Sequence, residues 1–255
     1  MFEGPKLKIK RADHHIAQLQ ELLSAFCKTD FYSLRVEFDP KDGMNVLEFH
    51  QAKDIPCDVP LIIGDAAHNL RAALDLLVCD IVRAGGAEPT QYTKFAFRRT
   101  KDELIAALDG GILKAARAGI IELIVDTIQP YVGGKNASLF GLHDLDIQDK
   151  HLLITPVFSV TRLTGVDLVD ENQNVFTNTT LVVGGNGKLR SIATSSPLKI
   201  TKNGQPSFNV LFDKGNPFER QPVIPTLHQL SQLVSGVVQT IEQAYLPSDE
   251  TRTFL

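Results

Sequence analysis

The sequence lacks several features that would assign a protein to a class at once. Its three cysteines, Cys27, Cys57 and Cys79, are odd in number and widely spaced, and no CxxC pair occurs. We therefore expect neither a disulfide framework nor a zinc knuckle, and a reducing cytoplasm is the simplest location. No apolar run approaches the roughly 20 residues that span a bilayer. The basic residues within 1–15 are not followed by the apolar stretch of a signal peptide, so we expect a cytoplasmic protein without membrane contact.

The chain also lacks a basic excess. Its 26 Lys and Arg residues face 30 Asp and Glu residues, which gives a net charge of -4. This balance argues against a dedicated nucleic-acid binder and leaves only a local basic groove open. The run 94–99 mixes aromatic and basic residues, as single-strand binders do, but such a run is more typical of an ordinary surface loop. P-loop, nucleophile-elbow, HExxH and EF-hand patterns do not occur, and we predict neither a cofactor nor a metal site.

Periodicity predicts a chain of both helices and strands. Apolar residues at helical spacing predict helices over 7–28, 60–84, 101–108, 112–129, 137–153 and 225–245. Alternating apolar residues predict an early hairpin within 31–51 and further strands over 156–222, with turns at 184–187, 203–204 and 214–216. Because an isolated hairpin is marginal, we expect it to join the later sheet.

The predicted fold class is therefore α+β. A layer of about five to six helices packs with an antiparallel β-sheet that the early hairpin and the strands of 156–222 form. We expect one interwoven domain over 1–255. Its helical part covers 1–155 and 223–255, and its β-rich part covers 31–51 and 156–222. The amphipathic C-terminal helix could serve the core or a homodimer.

The helix over 60–84 combines an apolar surround with three polar residues. Lys and Glu are absent from Val59 to Val82, so the helix is expected to be buried nearly all round. At 100° per residue, His68, Arg71 and Asp75 form one strip. Such buried groups need partners. The strip is either a network that fixes helix packing or an anion site, in which Arg71 clamps the anion and His68, oriented by Asp75 or Asp65, is an acid or base.

The same i, i+3, i+7 spacing recurs on the helix over 137–153, in His143, Asp146 and Lys150. The two strips are complementary in charge. We therefore expect them to meet, with Arg71 paired to Asp146 and Asp75 paired to Lys150. The alternative is that the second strip is an ordinary exposed pair of Asp and Lys four residues apart.

Two further residues of this helix, Asp149 and His151, are expected to point to other sides of it. Several side chains could in principle converge on a metal ion: His68, His143, His151, Asp65 and Asp146. The adjacent cations Arg71 and Lys150 argue against this, because they would repel a metal.

Two motifs carry a family resemblance. The first runs from Ile63 to Asp75 and contains Gly64-Asp65, His68-Asn69-Leu70-Arg71 and Ala73-Leu74-Asp75. The second joins Gln129-Pro130-Tyr131-x-Gly133-Gly134 to Leu142-His143-x-Leu145-Asp146-x-x-Asp149-Lys150-His151. Over about 60–83 and 128–156 the chain resembles a widespread bacterial family of uncharacterised proteins. The motifs make Asp65, Asn69 and His151 candidate binding residues beside the two strips.

The family pattern is also distantly similar to the HEPN class of helical RNases, in which an Arg and a His on one helix act on the RNA phosphate. The family has a His where this chain has Leu76, and an Arg where it has Leu152. The leading hypothesis is a binding or regulatory module for a small anion or a partner protein. The alternatives are a metal-independent HEPN-like RNase of a defence or toxin–antitoxin system, with His68, Arg71 and Asp75 as catalytic candidates, and a metal-dependent hydrolase.

Overall fold

A computed structural model describes residues 1–41, 43–109, 113, 116–182, 188–194 and 197–246, with the backbone alone for 188–194. Within these ranges the helices are α1 (Glu3–Phe26), α2 (Asp58–Ala84), α3 (Lys101–Asp109), α4 (Ile120–Glu122, continued by the π-helical Leu123–Ile128), α5 (Ser138–His151) and α6 (Val223–Tyr245). None of these described helices is long and apolar enough to cross a membrane.

The strands form two antiparallel sheets. Their bounds are β1 (Tyr32–Asp39), β2 (Met44–Gln51), β3 (Pro156–Asp170), β4 (Val175–Val182), β5 (Lys188–Thr194) and β6 (Leu198–Phe212). One sheet has the order β1-β2-β5 and the other the order β4-β3-β6. The α+β class is confirmed. The early hairpin does pair with a later strand, but the strands are divided between two sheets.

The chain divides into two compact units, each built from separate stretches of sequence. The first comprises Met1–Gln20, Pro60–Thr155 and Lys214–Leu255, and the second comprises Glu21–Val59 and Pro156–Asp213. The first unit holds nearly all the helical residues and the second holds all the strands. That the two form a single domain stays a prediction.

The core of the second unit is aromatic. Phe31 is fully buried, and its ring centroid lies 5.0 Å from that of Phe26 and 5.7 Å from those of Phe158 and Phe208. A layer of leucines and valines from five strands continues this core: Leu34, Leu47, Leu163, Val166, Leu168, Leu181 and Leu198. Alternation along the strands produces this layer, since every second side chain lies on the same face, and the register shift between Leu163 and Val166 on β3 brings both of these side chains into it.

In the first unit, α2 is buried nearly all round, as its lack of Lys and Glu predicts. From Val59 to Val82 the exposed positions are Leu61, Asp65 and His68, which follow one another at helical spacing on a narrow strip. The helix ends at Gly85-Gly86, where Gly86 has a φ of 82°, the left-handed conformation that commonly ends a helix. The apolar stripe of α6 is also buried.

Two predicted elements are wrong. Residues 112, 114 and 115 of the helix predicted over 112–129 lie outside the described residues, and the described helix begins at Ile120, because 116–119 contain a bend and a turn and Gly119 has a φ of 89°. The turn predicted at 203–204 lies within β6. A Cβ at Gly204 would lie 2.6 Å from the carbonyl oxygen of Thr164, so this glycine permits close strand approach. The turn predicted at 184–187 lies outside the described residues, whereas that at 214–216 is confirmed.

Candidate functional site

The two predicted polar strips meet in the first unit, on antiparallel helices. His68 Nδ1 lies 2.9 Å from Asp146 Oδ1, and Arg71 Nε lies 3.4 Å from His143 Nδ1. Residues later in α2 therefore contact residues earlier in α5, as in two antiparallel helices. The predicted pairs Arg71–Asp146 and Asp75–Lys150 assume parallel helices, so those pairings are wrong although the meeting of the strips is right.

Asp146 organises the exposed end of this contact. Its carboxylate is 5% exposed, and it accepts hydrogen bonds from His68 on one oxygen and from Lys150 Nζ, at 2.5 Å, on the other. Because a carboxylate can only accept, the bond to it requires the proton of His68 on Nδ1, which leaves Nε2 free. The side chains of His68 and Lys150 are each 53% exposed. One buried anion thus holds two basic groups that solvent can reach.

Arg71 lies at the closed end of the contact. Its side chain is 7% exposed, and its Nη1 donates to the carboxylate of Asp75, four residues along α2. The Nη2 atom donates to the carbonyl oxygen of Phe95 at 3.5 Å, and Cζ lies 4.5 Å from the ring centroid of Phe97. With Nε bonded to His143, every guanidinium nitrogen has a partner within the protein. These three bonds use three of the five N–H donors of Arg71, and the burial of the side chain leaves little of the guanidinium accessible to an anion.

The segment 94–99 exposes its basic residues, as expected of a surface loop, but its two phenylalanines turn inward and form a wall of the site. Phe95 and Phe97 are 3% and 4% exposed. The amide of Phe95 donates to Asp75 at 2.8 Å, and the ring of Phe97 stacks on His143 at 4.8 Å. Burial, and then the charge of Arg71, lower the pKa of His143. The spacing of Phe95 and Phe97, two residues apart, is the feature of the sequence that could have predicted this burial, because such residues lie on one face of an extended segment.

Asp149 lies against α2, so the prediction that it points to another side of α5 is wrong. A Cβ added at Gly64 would overlap its carboxylate, so the glycine makes this approach possible. Burial raises the pKa of Asp149, and the neighbouring charges of Asp146 and Asp65 raise it further. His151 is exposed at the end of α5.

Asn69 links α2 to α1 and lies 8% exposed. Its Nδ2 donates to the carbonyl oxygen of Asp65 at 2.8 Å, and its Oδ1 accepts from Lys8 Nζ at 3.1 Å. Both ends of the amide are therefore bonded within the protein, while the side chain of Asp65 is exposed beside them.

Comparisons with known proteins return nothing: no protein-family model matches the chain, and no curated protein or solved structure does. Within the part of the chain that the structure describes, no group of three or more His, Cys, Asp or Glu residues is arranged to hold a metal ion.

Proposed function

We propose that the chain is a binding module for a small anionic group, a phosphate or a carboxylate, held at the exposed end of the α2–α5 contact by His68 and Lys150. The observation that carries this proposal is the position of these two side chains on the two oxygens of one buried carboxylate, Asp146. Each basic group is fixed on one side and half exposed on the other. Lys150 therefore retains N–H groups for a ligand, and Nε2 of His68 offers one more when it carries a proton.

The neighbouring Asp149 favours the same ligand at mildly acidic pH. A carboxyl whose pKa is raised stays protonated to higher pH, and a protonated carboxyl can donate a hydrogen bond to an anion. Lowering the pH protonates Asp149 and so adds a donor for the anion. Binding is therefore expected to strengthen as the pH falls.

Inorganic phosphate is the probe that tests this proposal, with titrations followed by calorimetry and by the NMR signals of the His68 imidazole. We expect saturable binding, and His68→Gln or Lys150→Gln should weaken it about tenfold, since each removes a charge-assisted hydrogen bond. Arg83→Gln is the matched control, because Arg83 is an exposed cation on α2 that pairs with Asp80. Absence of a saturable shift at His68, or equal weakening by Arg83→Gln, would contradict the proposal.

A second candidate function is metal-independent cleavage of RNA, which the hydrogen bond between His68 and Asp146 favours. A histidine whose Nδ1–H is held by a carboxylate presents Nε2 as a general base, here for a ribose 2′-hydroxyl, and Lys150 would stabilise the phosphate. Purified protein should then cleave RNA, His68→Gln should not, and Arg71→Lys should retain activity if it folds. Folded wild-type protein that leaves RNA intact in chelator would exclude this function.

A further inference from the structure

A second concave site lies in the first unit. A cavity of about 230 Å³ opens between the π-helical end of α4, the segment 129–136 and α6. Its apolar lining includes Leu233, Gly236 and Val237, and its polar lining includes Lys135 and Asn136. Since drug-sized ligands occupy about 300–1,000 Å³, a cavity of this size suits a small metabolite.

The backbone beside the cavity is unusual. The last turn of α4 is π-helical, and Gln129, which ends it, has a φ of 53° in the left-handed region. Side chains hold this conformation: Gln129 Oε1 accepts from the amide of Lys135 at 3.1 Å, and Asn136 Nδ2 donates to the carbonyl oxygen of Ile128 at 2.6 Å. π-Turns and non-glycine residues with positive φ concentrate at ligand sites. Of these residues Gln129 belongs to the second sequence motif, in the part 129–134 that has no role in the α2–α5 contact.

Gly236 adds an independent observation. It lies in the interior of α6, where glycine weakens a helix relative to alanine. A Cβ added there would meet no atom within 4 Å, so no neighbour demands a glycine. The absence of a side chain at Gly236 leaves the cavity open, which is consistent with a ligand that occupies it.

The charge of the lining sets the ligand class. Lys135 is the one charged residue of the lining; its side chain is exposed and forms no ion pair with a described residue. Among the described residues, no carboxylate lines the cavity to attract a cation. We propose that the cavity binds a small aliphatic carboxylate, with its carboxylate at Lys135 and its apolar body against Leu233, Gly236 and Val237.

Three probes of the same branched five-carbon skeleton separate charge from shape: isovalerate, isoamyl alcohol and isoamylamine. In titrations followed by amide NMR, isovalerate should shift the signals of 127–136 and 232–240 in a saturable way. Isoamyl alcohol should bind more weakly and isoamylamine should not bind. Equal or tighter binding of the alcohol or the amine would overturn the assignment of a carboxylate, and no shift with isovalerate would overturn the site.

Two variants locate the binding. Gly236→Leu fills the cavity and should abolish the isovalerate shifts, whereas Gln239→Leu, an exposed position of the same helix outside the lining, should preserve them. Lys135→Gln changes an exposed loop residue, so the fold should be unaffected. It should weaken binding about fivefold, the upper value for an exposed ion pair. Retained affinity in both Gly236→Leu and Lys135→Gln would refute the proposal. His68→Gln should leave isovalerate binding here unchanged, which separates this site from the α2–α5 contact.

Discussion

Arg71 is expected to stabilise the fold, and Arg71→Met is the substitution that tests this role. Methionine keeps much of the length and apolar stem of the side chain but removes all of its N–H donors. The substitution breaks the bonds to Asp75, His143 and the carbonyl oxygen of Phe95. It also leaves a carboxylate without its ionic partner. Among the described residues, Asp75 then keeps only the hydrogen bond from the amide of Phe95.

The magnitude follows from how deeply the pair is buried. Removing one partner of a buried ion pair costs about 3–5 kcal/mol. Because Arg71 is 7% exposed but Asp75 is 30% exposed, water partly solvates the carboxylate left behind, and we expect a loss near the lower limit, about 3 kcal/mol. Arg71→Lys keeps the charge but not the planar set of donors, so it should lose about half as much, roughly 1.5 kcal/mol.

Urea unfolding followed by far-ultraviolet circular dichroism measures the loss, since the chain has no tryptophan for fluorescence. Arg83→Gln on the exposed part of α2 is the control and should change stability by less than about 0.5 kcal/mol. If Arg71→Met were as stable as that control, Arg71 would not be the centre of a packing network. We also expect Arg71→Lys to bind phosphate as tightly as the wild-type protein, because the proposed site does not include Arg71.

His143 provides a second signature of the same network. Burial and Arg71 lower its pKa below the ordinary value of 6.5, so the unfolded chain takes up this proton more readily than the folded protein. Stability should therefore fall as the pH drops below 6.5 toward the lowered pKa. Loss of the Arg71 charge should raise the pKa of His143 part of the way back and make this fall shallower. An imidazole titration that Arg71→Met leaves unmoved would refute this electrostatic link.

Three other outcomes follow from the structure. Asp149→Asn should stabilise the protein at neutral pH, because burial raises the pKa of Asp149 and so penalises its charged form; the gain should vanish below the ordinary pKa of 3.8, as urea midpoints across pH would show. Gly64→Ala should displace the Asp149 carboxylate and lower its pKa toward the ordinary value. In an Asp149→Ala background Gly64→Ala should instead stabilise the helix by about 1 kcal/mol, and equal effects in both backgrounds would contradict the contact. Phe31→Ala should cost about 3–5 kcal/mol by urea unfolding, and a loss below about 1 kcal/mol would contradict its central place among the aromatic rings.

Much of the fold was predictable because hydrophobic spacing reports which face of an element is buried. The bounds of α2, α3, α5 and α6 and the early hairpin follow from such spacing. The exceptions depend on backbone conformation. Gly119 precedes the start of a described helix that the apolar pattern would have begun earlier, and Gly204 lies within a strand although its sequence is typical of a turn.

The site was predictable as two faces but not as a set of pairs. Spacing along one helix fixes which side chains share a face, and this correctly brought the two strips together. This spacing does not give the direction of the second helix. The predicted pairs therefore required parallel helices, whereas α2 and α5 are antiparallel. The burial of Arg71 was predicted, but its contacts with Phe95 and Phe97 were not, since these residues lie in a loop further along the chain than α2.

The most direct test of the account is phosphate titration of the full chain at mildly acidic pH, read at the imidazole of His68. The account predicts a saturable shift that Lys150→Gln weakens about tenfold and that Arg71→Lys and Arg83→Gln leave in place. His68→Gln, which lacks this signal, should weaken phosphate binding about tenfold by calorimetry. A saturable shift that survives Lys150→Gln but is lost in Arg71→Lys would place the anion at the closed end of the contact and contradict it.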